Sequence, residues 1–293
     1  MGRMDNSGDP AMPGRPKLII HGGAGNVSFS DDRITSIRVS LRMIIRQTYE
    51  VLLNSNSRTA VLYGIRMLED DPLFNAGTGS KLQKDGVARM SASVMDSTHQ
   101  HFSAVINVEN IQHPIDLADR LSSEKYRILA GEHATHYARQ NGFSYYDPVT
   151  PERRKEYEQK IKGETGTVGI VALDADGTLC AGTSTGGVGM EIEGRVSDSP
   201  TVAGNYVSDA AGVTVTGVGE DIVNLSVASR IVAFIETGMP LPRAIARTLS
   251  LGESQNAQFG IIAIDSAGII GYGKTTSHLF FAVHDGEKIS TFA

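Results

Sequence analysis

The stretch TVGIVALDADGTLCAGTSTGG (167–187) holds an apolar run, an aspartate, a glycine-containing turn and a second run of small residues. Its core, GIVALDADGTLCAG (169–182), returns later in the chain as GIIAIDSAGIIGYG (260–273). Each copy reads as a β-hairpin of buried strands, since short apolar runs bounded by turn residues suit a sheet interior. A long helix at about 220–237 and a shorter one after Pro240 separate them. Hairpins separated by helices point to stacked sheets with helices outside, not to a doubly wound parallel sheet.

Upstream, KLII (17–20) reads as a strand leading into a glycine turn, HGGAG (21–25). Residues 33–53 carry Ile34, Ile37, Leu41, Ile44, Ile45 and Leu52 at spacings of three and four, the period of an amphipathic helix. A second helix at about 58–69 runs into DDPLFNAGTGS (70–80), where Pro72 and the small residues break regular structure. Three strands follow, two flanking Asp85-Gly86 and the third at FSAVINV (102–108). Helices then start at Pro114 and span about 131–141, with Gly142 as the C′ residue. TPERRKEYEQKIKGETG (150–166) carries charges of both signs and little that packs. Residues 149–166 therefore read as a flexible linker or a solvated helix.

The whole chain has 293 residues, net charge −6, one cysteine, no tryptophan and 32 glycines. Glycine at roughly 11% exceeds the usual level of about 7%. The mildly acidic balance argues against a nucleic-acid surface. A single cysteine excludes an intramolecular disulfide framework and a cysteine-rich metal site. No apolar run reaches the roughly 18 residues of a membrane span. Residues 1–16 are polar and rich in Gly and Pro, and are expected to form a disordered leader. The cytoplasm is the expected location, which makes the sequons at Asn26 and Asn224 chance matches.

Small polar residues are densest between Gly166 and Asp198. Taken singly, a strand threonine serves β-propensity, Arg195 and Asp198 suit a surface ion pair, and glycine pairs mark turns. Those readings alone reach an α/β globular protein with one glycine-rich region. His133 and His136 read as surface residues, and Cys180 as a small buried one.

The segments HGGAG (21–25), LFNAGTGS (73–80), SASVMD (91–96), GTVGIVALDADGTLCAGTSTGG (166–187), GRVSDSP (194–200) and TGVGE (216–220) stand in one order over about 200 residues. Together they resemble the plant-type L-asparaginase/isoaspartyl peptidase family of N-terminal-nucleophile hydrolases. The resemblance implies an α+β fold, a four-layer αββα sandwich, forming one domain over 17–293. It implies self-cleavage between Gly166 and Thr167 into segments 1–166 and 167–293. Thr167 is then the nucleophile, and its freed α-amine, of unperturbed pKa near 8, is the base.

By position, Thr185 resembles the residue bonded to the nucleophile's hydroxyl, and Thr216 and Gly217 the oxyanion pair. Arg195 resembles the residue that binds the substrate α-carboxylate. Asp198, with the Gly219 carbonyl, resembles the α-ammonium site, and Asn75 a residue that orders the nucleophile. The implied substrates are L-asparagine and β-aspartyl dipeptides. No cofactor is required for the chemistry. A structural Na+ is implied at Leu68, Glu69, Asp71, Phe74, Ala76 and Thr78, mostly through backbone carbonyls. The implied assembly is a homodimer of cleaved αβ protomers, with no nucleic-acid or membrane partner.

Five positions depart from the family pattern: Arg89, Ser91, Glu191, Ser197 and Val218. Glu191 reverses a charge, and Ser197 adds a hydroxymethyl beside Asp198. Two other readings remain open, a glycosylasparaginase-like amidase and an uncleaved, non-catalytic relative that acts as a binding protein.

Overall fold

The computed structural model describes residues 14–26, 29–160 and 166–293, so most of the expected leader at 1–16 lies outside it. Twelve strands are described: β1 (Lys17–Gly25), β2 (Met90–Asp96), β3 (Ser103–Val108), β4 (Ile128–Ala130), β5 (Val168–Leu173), β6 (Leu179–Thr185), β7 (Asn205–Val207), β8 (Ala211–Gly217), β9 (Phe259–Asp265), β10 (Ile270–Lys274), β11 (His278–His284) and β12 (Ile289–Phe292). Eight helices accompany them: α1 (Asp31–Asn54), α2 (Ser57–Asp70), α3 (Pro114–Leu121), α4 (Gly131–Gln140), α5 (Pro151–Glu158), α6 (Gly219–Leu225), α7 (Val227–Glu236) and α8 (Leu241–Ser254).

The strands form two sheets. One has the order β12–β11–β1–β5–β6–β2–β3–β4, the other β10–β9–β8–β7. The two echoed hairpins sit in different sheets, β5–β6 in the larger and β9–β10 in the smaller.

Strand alternation sorts the side chains into layers. Leu18 and Ile20 of β1, with Val168, Ile170 and Ala172 of β5, pack under Leu41, Ile44, Val61 and Ile65 of α1 and α2. The intervening Ile19, Val171 and Leu173 meet Val207, Ile262 and Ile264 of the smaller sheet. On that sheet's other face, Ala211, Val213, Val215 and Ile261 pack against Ile231 and Val232 of α7 and Ala244 and Ile245 of α8. A strand buried on both faces reads as an unbroken apolar run, as TVGIVAL does.

Several expected boundaries shift. HGGAG is not a turn: β1 continues to Gly25 and absorbs its glycines in a bulge between His21 and Ala24. The residues flanking Asp85-Gly86 are no strands, although Gln83 N–H donates to Val87 O at 2.9 Å and closes the turn. The helix expected at 220–237 breaks at Ser226, whose φ of 50° is left-handed, and α8 is longer than either half. Within the 149–166 stretch, Pro151–Glu158 is helix α5 and not linker, and its Arg153 is buried; residues 161–165 lie outside the described residues. Among the described residues no helix is long and apolar enough to cross a membrane.

The turn aspartates of the echoed hairpins do the same local work. Asp174 Oδ1 accepts from Asp176 N and Thr178 N, and Asp265 Oδ1 from Ala267 N and Ile269 N. Asp174 has one further bond, since its Oδ2 accepts the buried Ser57 N–H of α2 at 2.9 Å. Loss of that partner leaves a buried donor unsatisfied, at about 1–3 kcal/mol. Asp174→Ala should therefore lower stability more than Asp265→Ala, by about that amount, in paired denaturant unfolding.

Candidate active site

Thr167 precedes β5, and its hydroxyl points into the layer between the sheets. Its Oγ1 donates to Thr185 Oγ1 at 3.1 Å and stands 3.4 Å from Ser199 Oγ. Thr185 ends β6, and its hydroxyl also accepts the Gly187 N–H at 3.2 Å. Asn75 braces the turn that follows. Its carbonyl accepts Gly186 N–H at 2.8 Å, its Nδ2 donates to Gly187 O at 2.6 Å, and its Oδ1 accepts Lys81 N–H at 2.9 Å. Gly166 packs on the same residue, since a side chain there would meet Asn75 Cβ at 3.0 Å.

A polar network behind this contact fixes the neighbouring loop. Ser93 and Thr183 both donate to Ser199 O, at 2.6 and 2.9 Å, and Asn205 Nδ2 reaches Ser93 Oγ at 3.1 Å. His21 is fully buried beside the Thr167 backbone. Burial pushes its imidazole down to about 3, an effect the Thr167 backbone only partly offsets, so the ring is neutral.

Arg195, Asp198 and Gly219 converge. A side chain on Gly219 would stand 2.8 Å from Arg195 Nη2 and 3.1 Å from Asp198 Oδ1, crowding both groups. Burial pushes the Asp198 carboxyl up to about 7, against the pull of its loop backbone and Arg195, and its Oδ2 has no hydrogen-bond partner among the described residues. Arg195 is held by a partner that the sequence reading missed: Nε and Nη2 donate to Glu220 at 2.9 and 2.8 Å.

On β8, Thr216 Oγ1 is buried without a partner among the described residues, a costly arrangement unless a bound group supplies one. A Gly169 side chain would stand 2.9 Å from Thr214 Oγ1, and a Gly212 side chain 3.0 Å from Val171. Continuing that strand register sets Thr216 opposite Thr167. Gly217 has φ of 152°, and a side chain there would lie 2.3 Å from Gln258 O.

The 68–78 segment is a separate curl at the end of α2. Phe74 N–H donates to Asp71 O at 3.0 Å and Thr78 N–H to Glu69 O at 2.6 Å. The buried Glu69 carboxylate faces the other way, accepting from Ser184 Oγ at 2.6 Å and Ile115 N at 3.1 Å, with His113 at 3.4 Å. Burial raises its pKa, opposed by His113 and Ser184.

A model of the asparaginase family matches residues 14–165 and 151–293. The chain belongs to the asparaginase family. It is 43% identical over 296 residues to an isoaspartyl peptidase/L-asparaginase of Synechocystis, covering 94% of this chain and 89% of that protein. A plant-type L-asparaginase of Pyrococcus abyssi is 34% identical, covering 90% of this chain and 95% of its own length. An isoaspartyl peptidase/L-asparaginase of Xenopus laevis is 33% identical, with 87% of each chain covered. This asparaginase-family chain is accordingly a hydrolase of amide bonds.

Its departures from the pattern are built into the structure. Ser91 Oγ accepts Asn107 N–H at 3.0 Å, and Asn107 Nδ2 donates to Arg195 O at 3.2 Å, which braces the Arg195 loop. Arg89 is held away by Asp85 and Glu109, each at 2.8 Å. Glu191 Oε1 accepts Val188 N–H at 3.2 Å and closes the turn after β6. Ser197 Cβ would lie 3.2 Å from a Gly219 side chain, in the Asp198 corner. Val218 precedes α6, and its N–H donates to Gln258 O at 2.8 Å.

His133 is exposed, and His136 bonds Gln140 at 2.9 Å on the surface of α4. Cys180 faces the core under α2, where burial pushes its thiol far above the usual range. Since only the thiolate reacts readily, iodoacetamide should leave native activity unchanged; inactivation in proportion to labelling would contradict this placement.

Proposed function

We propose that this chain is a self-cleaving threonine hydrolase that splits the side-chain amide of L-asparagine and the isopeptide bond of β-aspartyl dipeptides. The observation that carries the reading is the Thr167–Thr185 hydroxyl contact at 3.1 Å, beside a corner holding one arginine and one buried aspartate. The names of the relatives in Synechocystis and Xenopus laevis support both substrate classes.

In self-cleavage, Thr167 Oγ attacks the Gly166 carbonyl carbon. A C–O ester bond forms, the C–N peptide bond breaks, and the hydroxyl proton passes to the departing nitrogen. Water then hydrolyses the ester, leaving a Gly166 carboxylate and a free Thr167 α-amine. The same hydroxyl next attacks the side-chain amide carbon of substrate, with that amine as base and Thr185 holding Oγ in line. The C–N bond breaks as the amine passes the proton to the leaving nitrogen, and water then hydrolyses the ester to release aspartate. Thr216 Oγ1 and Gly217 N–H serve the oxyanion. The Nη1/Nη2 edge of Arg195, left over by Glu220, takes the substrate carboxylate, and Asp198 with Gly219 O takes its ammonium.

The architecture in this reading is the four-layer αββα sandwich. The assembly is a homodimer of cleaved αβ protomers, and the location is cytoplasmic. The 68–78 curl fits a hard monovalent cation. The carbonyls of Leu68 and Glu69 belong to the last turn of α2, at the negative end of the helix dipole, where Glu69 O accepts the Thr78 N–H and keeps a second lone pair. Asp71, Phe74, Ala76 and Thr78 would complete an oxygen set whose contribution is to order the loop bearing Asn75.

Two measurements test the reading. Intact-mass analysis should resolve two pieces that meet at Gly166 and Thr167. Thr167→Ala should stay whole and release no ammonia from asparagine; a whole wild-type chain after long incubation would refute self-cleavage. The second is pH dependence. Asp198 is neutral below about 7 and loses its hold on the ammonium. KM for asparagine should rise as pH falls through that value, and Asp198→Asn should bind weakly at every pH. A KM unchanged across neutrality would remove Asp198 from the ammonium site.

A further inference from the structure

Helix α5 lies in the charged stretch just before the self-cleavage position, yet it is docked. It has eight residues, too few to be stable alone, and its one buried side chain is Arg153. Thr150 caps it by accepting Arg153 N–H at 3.2 Å, and Pro151 occupies its first turn. No apolar face holds this helix down. Polar bonds do, and among the described residues those that its side chains make outside the helix reach the loop that follows Asn75.

Arg153 Nε donates to Gly79 O at 2.6 Å, while its Nη1 contacts both Glu156 oxygens at 3.0 and 2.9 Å. Tyr157 Oη donates to Lys84 O at 3.0 Å. The chain entering α5 is tied to the same loop. Pro148 O accepts Gly79 N–H at 2.8 Å, and the Tyr146 and Thr78 hydroxyls meet at 2.8 Å.

The docked loop leads directly to the nucleophile. Lys81 N–H bonds Asn75 Oδ1 at 2.9 Å, and Asn75 holds Gly186 and Gly187 beside Thr185 while Gly166 packs on its Cβ. The loop and the turn after β6 are laced together further on, Met190 N–H to Leu82 O at 2.8 Å and Lys84 N–H to Glu191 O at 3.0 Å. Arg153 therefore stands at one end of a path that runs through Gly79 and the Asn75 loop and, by hydrogen bonds through Gly187 and Thr185, reaches the Thr167 hydroxyl, with Gly166 seated against Asn75.

We propose that Arg153 is a positioning residue for self-cleavage: through Gly79 it sets the Asn75 loop, and with it the orientation of the Gly166–Thr167 bond toward the Thr167 hydroxyl. The proposal rests on the reading that the chain cleaves itself there. A charge-assisted bond to a carbonyl is among the stronger hydrogen bonds, so its loss should be visible in a rate.

The test is a time course of precursor loss, by intact mass, in freshly purified full-length chains. Arg153→Ala should slow cleavage by about tenfold or more, and Arg153→Lys should restore part of the rate. Arg154→Ala, on the exposed side of the same helix, should cleave at the wild-type rate. The fraction that does cleave should keep the wild-type KM for β-Asp-Leu, which separates a processing defect from a damaged substrate site. Cleavage of Arg153→Ala at the wild-type rate would overturn the proposal, and so would equal slowing in Arg154→Ala. Where Arg153→Ala does not fold, Tyr157→Phe decides, slowed cleavage supporting the proposal and an unchanged rate opposing it. A wild-type chain that never cleaves counts against self-cleavage itself, a result distinct from any of these.

Discussion

The layer between the two sheets is where this structure is decided. Strand geometry delivers every second residue of β1, β5, β6 and β8 into it, and the layer differs along its length. Toward the Asp174 turn it is apolar, with Val171, Leu173, Leu179 and Ala181 against Ile262 and Ile264. Toward the start of β5 it turns polar, with Thr167, Thr183 and Thr185 joined by Ser93, Ser199 and Asn205. The apolar part anchors the sheets, so the hydroxyls at the other end hold their spacing without a flexible loop to place them. Buried hydroxyls cost stability unless bonded, and most of these bond one another or Ser199 O.

That layering explains which features could be read from the sequence. The echoed hairpins and the 33–53 helix declare themselves by period, because burial acts on every second or every third to fourth residue. The glycines of HGGAG carry no such information, since the same composition serves a turn or a bulge and only pairing with β11 and β5 distinguishes them. The break at Ser226 is equally silent, because serine is an ordinary helix residue and nothing in its neighbours' pattern marks its left-handed φ. Arg153 lies in a segment whose charge argues for solvent, and its burial depends on one carbonyl 74 residues away in the chain. Thr167, Thr185, Arg195, Asp198 and Gly219 came from resemblance. Ser199 and Glu220 lay inside the same quoted motifs, with no pattern to show which hydroxyl or carboxylate turns inward.

Electrostatics in the Arg195 corner follow from unequal burial. Glu220 is largely exposed, and its bond to Arg195 holds its carboxyl below the usual range. Asp198 is enclosed, and burial outweighs the same arginine. One cation thus keeps an outer carboxylate charged while an inner one is nearly balanced at neutral pH. An arriving ammonium would tip the inner group to its charged form, since an adjacent opposite charge favours ionisation. Under the proposed function this corner would discriminate by pairing: a ligand with only a carboxylate would meet Glu220 as a competitor, whereas an α-amino acid would bring the ammonium that ionises Asp198. In that proposal, selection for a zwitterion comes from the different depths of two carboxylates around one guanidinium, with Gly219 adding no side chain to a corner where one would crowd Arg195, Asp198 and Ser197.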